Sequence, residues 1–145
     1  MFLGQYTYTL DDKGRLTIPS RFREELSGRV VVTRGLDRCL SVYPTDVWRE
    51  IAQKVTALPI TNPRGRSLRR IFFADAIDAE LDKQGRILIP DRLRTIGDLE
   101  LSSEVTIIGL DSFIELWNPD RWEATSANQM EVAEENPGMW EDLDI

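Results

Sequence analysis

Two aspartate and arginine pairs stand at the same spacing in a chain of 145 residues: Asp11, Gly14 and Arg15 in "LDDKGRLTIP", and Asp82, Gly85 and Arg86 in "LDKQGRILIP", 71 positions later. A carboxylate ahead of a glycine turn accepts bonds from the turn amides and pairs with the arginine beyond it. That arrangement fixes register and, as a surface ion pair, contributes at most about 1 kcal/mol. The same carboxylate also orients a guanidinium that reaches out from a rigid turn, where its fork of donors can meet phosphate or a guanine edge. The two readings are compatible, and the residues alone do not choose between them.

Other chemistry is thinly provided. The chain has no histidine, which removes the usual general base near neutral pH and the commonest transition-metal ligand. There is no phosphate-cradling Gly-rich loop. Asp11 and Asp12 are adjacent, so at a strand end their carboxylates point to opposite sides instead of converging on a substrate. No catalytic residue, cofactor or metal site is expected. The single cysteine, Cys39, has no partner for an internal disulfide and is expected as a buried thiol in a strand.

The composition, 41% hydrophobic and 30% charged, suits one soluble domain. No apolar run approaches membrane-spanning length and the first residues lack the pattern of an export signal, so a cytoplasmic protein is expected. The net charge of −7 hides an asymmetry. Residues 1–96 carry 17 Lys and Arg against 12 Asp and Glu, whereas residues 97–145 carry 1 against 13. A basic surface can therefore share the molecule with an acidic end.

The elements that must position the paired motifs also recur. "PSRFR" matches "PDRLR", and "GLDRCLSVYPTDVWRE" matches "GLDSFIELWNPDRWEA". Residues 5–51 and 77–125 read as two copies of one unit, joined by residues 52–76 and followed by an acidic tail, 126–145. Two copies fall short of a solenoid and are expected to close on each other around one core. Tyr6, Tyr8 and Leu10, then Leu16 and Ile18, alternate with polar residues as half-buried strands do, and Ile87 and Ile89 repeat the second run. Lys13-Gly14 and Gln84-Gly85 predict a tight hairpin between the two strands of each unit.

Ser20 and Asp91 are expected to cap short helices that bury Phe22 with Leu26, and Leu93 with Ile96. "RVVVTR" and "EVTIIG" return to strand, and each unit ends in a helix bearing Trp48 or Trp122 as a core anchor. In the connecting segment a helix is predicted with Leu68, Ile71 and Phe72 on one face and Arg66, Arg69 and Arg70 beside it, a solvated face or part of an anion-binding surface. The tail is expected to be helical to Asn136 and frayed beyond.

Taken together, the paired Asp-x-x-Gly-Arg strings, "MFLG", "VYP", "NPRGR" and "ELW" resemble the MraZ family of bacterial transcription regulators over residues 1–122. That family is similar to the AbrB and SpoVT class of DNA-binding proteins. The resemblance implies an α+β, mainly β fold: a double-psi-like, swapped-hairpin barrel that two internal repeats build within one chain. It also implies a nucleoid-associated ring oligomer that binds direct repeats in double-stranded DNA upstream of its own operon, in the division and cell-wall gene cluster.

Carried onto this sequence, DNA contact falls on Arg15, Lys13 and Arg86, with Arg21, Arg23 and Arg92 nearby, while Asp11, Gly14, Asp82 and Gly85 shape the turns. The second copy has Gln84 for Lys13 and Lys83 for Asp12, so the hairpins are not equivalent. Arginines two apart on a helix diverge by roughly 200°, and at most one of Arg21 and Arg23, or of Arg92 and Arg94, can face the same ligand. The rival reading is an AbrB-like antitoxin, whose acidic C-terminus grips a partner protein.

Overall fold

In the computed structural model, which describes residues 1–144, the order strand, strand, helix, strand, strand, helix occurs twice. The first set is β1 (Gln5–Thr9), β2 (Arg15–Thr17), α1 (Ser20–Leu26), β3 (Arg29–Arg34), β4 (Leu40–Pro44) and α2 (Thr45–Thr56). Helix α3 (Pro63–Ala74) leads into the second: β5 (Ile77–Glu80), β6 (Arg86–Leu88), α4 (Asp91–Gly97), β7 (Glu104–Gly109), β8 (Ile114–Trp117) and α5 (Pro119–Glu135). A 3-10 turn, Pro137–Leu143, follows.

Six strands form one antiparallel sheet in the order β1-β7-β8-β4-β3-β5, and β2 pairs only with β6. The predicted hairpin ladders are therefore absent. The tight turns do form, with the Gly14 N–H donating to the Asp11 carbonyl and the Gly85 N–H to the Asp82 carbonyl. The strands on either side of each turn then part company. Tyr6 of β1 pairs with Ile107 of β7, and Ala79 of β5 pairs with Val30 of β3, so each copy gives its first strand to the other. The sheet ladders remain open, and the closed barrel implied by the resemblance is not found: β2 and β6 meet over only three residues each and join no other strand.

The exchange follows from where apolar area can be buried. Leu10, Leu16, Ile18, Phe22 and Leu26 from the first half and Ile87, Ile89, Leu93, Val105 and Ile107 from the second fill a single core. Burial at about 25 cal/mol per Å² favours one shared interior over two small ones, each too thin to exclude water. β4 and β8, at the middle of the sheet, are almost wholly buried and pair Val42 with Ile114 across the join.

Local chemistry differs from expectation at three places. Pro19 and Pro90 occupy the N-cap positions of α1 and α4 and have no side-chain oxygen, so Ser20 and Asp91 become the first helical residues and make no cap bond. The acidic tail is helical up to Asn136 as expected, continuing α5 without a break at residue 126, but beyond Asn136 it forms a 3-10 helix instead of fraying. Trp48 and Trp122 are half-buried clamps outside the main core. Trp48 lies flat on Phe72, with ring centroids 4.6 Å apart, and Trp122 packs on Trp117 while its Nε1 donates to Gln5 Oε1 at 2.9 Å.

Cys39 is fully buried immediately before β4, where burial, followed by the nearby Glu115 carboxylate, pushes its thiol pKa up. No helix among the described residues is long and apolar enough to cross a membrane.

Candidate nucleic-acid interface

The β2–β6 ribbon brings the two Asp-x-x-Gly-Arg motifs to one edge of the molecule. Leu16 and Ile87 face each other on its inner side and are fully buried, which forces their neighbours outward. The register pairs Arg15 with Leu88 and Thr17 with Arg86. The two arginines therefore sit on one diagonal of a four-residue outer face, at the spacing that long side chains bridge in antiparallel ribbons. Lys13 stands exposed at the tip of one turn, and Lys83 and Gln84 at the tip of the other.

Each turn is built in the same way. Asp11 Oδ1 accepts from the backbone N–H groups of Lys13 at 2.9 Å and Arg15 at 2.8 Å, and Asp11 Oδ2 accepts from Arg15 Nε at 2.8 Å. In the second copy Asp82 Oδ1 accepts from Gln84 and Arg86, each at 2.9 Å, and Oδ2 from Arg86 Nε at 2.8 Å. The bond from the Arg15 backbone N–H, then the Arg15 side chain and the Lys13 amide, outweigh partial desolvation and hold the Asp11 carboxyl down at about 2. Asp82 is lowered for the same reasons, led by the Arg86 backbone N–H.

Since each aspartate engages only Nε of its arginine, the outer nitrogens of Arg15 have no protein acceptor among the described residues. Arg86 leans further across, its Nη1 lying 4.0 Å from Asp11 Oδ2. A fork held by Nε and free at its tips is arranged for bidentate bonding to an oxyanion or a base edge.

Two arginines lock these turns from behind. Gly14 and Gly85 take φ of +83° and +75°, a conformation that favours residues without a Cβ. A side chain at Gly14 would run into the Arg94 guanidinium, and one at Gly85 into that of Arg23. Arg94 Nη1 donates to the Ile89 carbonyl at 2.7 Å, while the Ile89 N–H donates to the Gly14 carbonyl at 2.8 Å. Arg23 Nε donates to the Ile18 carbonyl at 2.9 Å, and the Ile18 N–H donates to the Gly85 carbonyl at 2.9 Å. The short helix of each half thus braces the turn of the other.

The remaining basic residues divide by what holds them. Arg21 is exposed and its Nη1 reaches Tyr6 Oη at 3.4 Å. Arg92 Nε bonds Asp75 Oδ1 at 2.6 Å, and Asp75, nearly buried, also holds Arg34 at 3.1 Å. These partners, Arg92 first, lower the Asp75 pKa despite its burial. Arg66 and Arg69 of α3 donate to carbonyls of the preceding loop, at Ile60 and Thr61 and at Thr56 and Leu58, and so support the loop. Sequence reasoning missed the bracing role of Arg94 and Arg23. The available signal was their recurrence at one position of both copies, two residues after arginines that point the other way.

A family model described as "MraZ protein, putative antitoxin-like" matches residues 1–71 and again 72–138. A protein of Thermomicrobium roseum named transcriptional regulator MraZ is 50% identical over 124 residues, 86% of each chain. A protein of the same name in Halothermothrix orenii is 48% identical over the full length of both chains. Another, in Herpetosiphon aurantiacus, is 47% identical over 97% of this chain and 95% of its own. With the family model covering both halves and likeness running the length of the chain, this protein belongs to the MraZ family.

Proposed function

We propose that this chain is a sequence-specific DNA-binding transcription regulator that acts on double-stranded DNA upstream of its own gene, in the division and cell-wall cluster. It is a non-enzymatic cytoplasmic protein associated with the nucleoid. It binds direct repeats as a ring oligomer that presents one β2–β6 ribbon per subunit, so that several weak contacts act together through effective concentration. The name shared by its relatives supports the regulatory role.

The observation that carries the reading is the pair of guanidinium forks, Arg15 and Arg86, each held by Nε on one ribbon, with the outer nitrogens of Arg15 unbonded among the described residues and Nη1 of Arg86 only 4.0 Å from Asp11 Oδ2. Two-stranded ribbons fit the major groove, and arginine forks read guanine edges or phosphates there. Lys13 and Arg21 add positive charge around the ribbon. Arg23 and Arg92, tied to Ile18 and Asp75, act by shaping the interface.

The test is binding of the wild type, Arg15→Ala and Arg86→Ala to the upstream DNA, titrated against salt and scrambled competitor. The wild type is expected to prefer its own upstream region. Each variant should lose that preference or lower the salt slope by about one phosphate equivalent, with oligomeric state unchanged. Equal binding of target and scrambled DNA by all three proteins refutes the reading.

An antitoxin-type interaction module is the second reading. It is favoured by the acidic, exposed C-terminal segment and by the words of the family description. A small basic protein that co-purifies with the chain and displaces DNA would support it.

A further inference from the structure

The outer face of the β2–β6 ribbon holds four side chains, Arg15 and Thr17 from the first copy of the motif and Arg86 and Leu88 from the second. Residues 71 positions apart occupy equivalent places, so the two arginines correspond to each other and Leu88 corresponds to Thr17. Three of the four are half-buried. Leu88 is the exception, 52% exposed on the face proposed above to meet DNA. A lone leucine elsewhere on a surface needs no explanation. Among guanidinium forks and a hydroxyl, it is the one group that can bond neither phosphate nor the polar atoms of a base edge.

The ladder fixes where Leu88 points. The Ile18 N–H donates to the Gly85 carbonyl and the Ile89 N–H to the Gly14 carbonyl. Leu16 with Ile87 is therefore the hydrogen-bonded pair between them, and Arg15 with Leu88 is a non-hydrogen-bonded pair. Side chains of such pairs stand closest, with Cα atoms about 4.5 Å apart. Since Leu16 and Ile87 are fully buried on the inner side, Leu88 and the Arg15 fork leave the ribbon together on the outer one. Gly85 and Ile89, at the two ends of this short strand, are buried, and Arg94 Nη1 holds the Ile89 carbonyl at 2.7 Å. Leu88 is thus presented from a fixed backbone.

Double-stranded DNA offers one apolar group to a ribbon in its major groove, the C5 methyl that thymine carries and cytosine lacks. We propose that Leu88 sets part of the base specificity by packing on the C5 methyl of a thymine, at the base pair that Arg15 engages or at the neighbouring one. The spacing fits, because base pairs rise by roughly 3.4 Å, comparable with the separation of the paired residues. A cytosine at that place presents an amino group, which the leucine would strip of water without bonding it. Thr17, at the equivalent place, carries a hydroxyl beside its methyl, so the two ends of the ribbon differ in what they accept. This contact presupposes the DNA reading proposed above and gives the base chemistry that the ribbon recognises.

The experiment amplifies the DNA upstream of the gene with either thymidine or deoxyuridine triphosphate, so that one probe has every thymine methyl and the other has none. Both are titrated with the full chain, Leu88→Met and Leu88→Ser, against scrambled competitor at one salt concentration. Leu88 is exposed, and thermal melts check each fold. The wild type is expected to bind the deoxyuridine probe about fourfold more weakly for each ribbon engaged, the worth of one buried methyl. Leu88→Met keeps an apolar chain of similar volume and should show the same ratio. Leu88→Ser should lose that discrimination. Amplified DNA holds no 5-methylcytosine, which carries the same methyl, so the loss assigns the contact to thymine.

A second arm needs no variant. Single deoxyuridines placed in turn across the bound region should weaken wild-type binding at one thymine per ribbon, at or beside a guanine. Equal binding of the two probes by the wild type, with its preference over scrambled DNA intact, overturns the methyl contact and leaves the DNA reading standing. A ratio that Leu88→Ser leaves unchanged does the same, since the methyl is then read elsewhere. If Leu88→Ser alters the mass in solution and not the ratio, Leu88 belongs to a protein contact and the proposal is wrong. A wild type that does not distinguish its upstream region from scrambled DNA, with thymine in both, sinks the DNA reading and the methyl contact with it.

Discussion

Replacing Gly14 by alanine separates the bracing of the turns from their chemistry. The residue sits at φ +83°, where a Cβ costs roughly 1–2 kcal/mol against the following carbonyl. The new methyl also collides with the Arg94 guanidinium, and the Ile89 carbonyl stands 3.1 Å away. Displacing Arg94 breaks its 2.7 Å bond to that carbonyl, a charged hydrogen bond worth roughly 1.5–3 kcal/mol. Gly14→Ala should therefore destabilise by about 2.5–5 kcal/mol, on the order of 8–20 °C in Tm for a chain of this size.

Arg94→Ala loses that bond, about 1.5–3 kcal/mol, and a long 3.4 Å contact with the exposed Asp91 carboxylate that adds little. In the double variant the methyl has no guanidinium to displace, so its cost should fall short of the sum of the single costs by about the value of that bond. Urea unfolding of the four proteins at one temperature measures the cycle. Additivity within about 0.5 kcal/mol would mean that Arg94 does not brace the turn, and the reasoning would fail.

Other outcomes follow from the same geometry. Asp11, with its pKa lowered to about 2 from an ordinary 3.8, contributes stability that is present above the ordinary value and lost as pH falls through the lowered one. Unfolding midpoints measured from pH 5 to pH 2 should therefore drop more steeply for the wild type than for Asp11→Asn, and parallel curves would exclude a folding role for that carboxylate. Cys39, buried and with its thiol pKa raised, should resist a thiol reagent in the native protein and react promptly in urea; fast native labelling would contradict its burial. Trp48→Ala removes the stack on Phe72 and the edge contact with Phe73. It should lower stability by roughly 1–3 kcal/mol in a thermal melt, and an unchanged melt would show that α3 is held without it.

How much of this the chain announces depends on the range of the interaction. Alternation in "YTYTL" and "RLTIP" marks the strands because burial imposes period two, and the Asp11 to Arg15 spacing foretells the pair that the turn makes. Strand partners are another matter. Periodicity says that Leu16 faces a core, yet it carries no term for whether Ile87 or the preceding strand lies opposite, and the choice is settled by the volume of the shared interior. Arg23 looks like any exposed arginine beside Arg21 until the backbone of Gly85 is placed behind it. The capping oxygens expected at Ser20 and Asp91 were misplaced by one residue because each proline takes the cap position itself.

The exchange of first strands sets a timetable for synthesis. Tyr6 must wait for Ile107, 101 positions later, and at about 5–20 residues per second a ribosome takes roughly 5–20 s to deliver it. Until residues 77–80 are made, within that interval, β3 has no β5 beside it. The nearest strand of equivalent sequence is β1, in the same nascent chain or on the neighbouring ribosome of a polysome. Two pairings therefore compete: the second half of the same chain, highly concentrated but late, and the first half of another, dilute but early. Slow translation through residues 77–109 favours the second outcome, so the codons of that stretch bear on whether chains emerge as single folded copies or as entangled pairs.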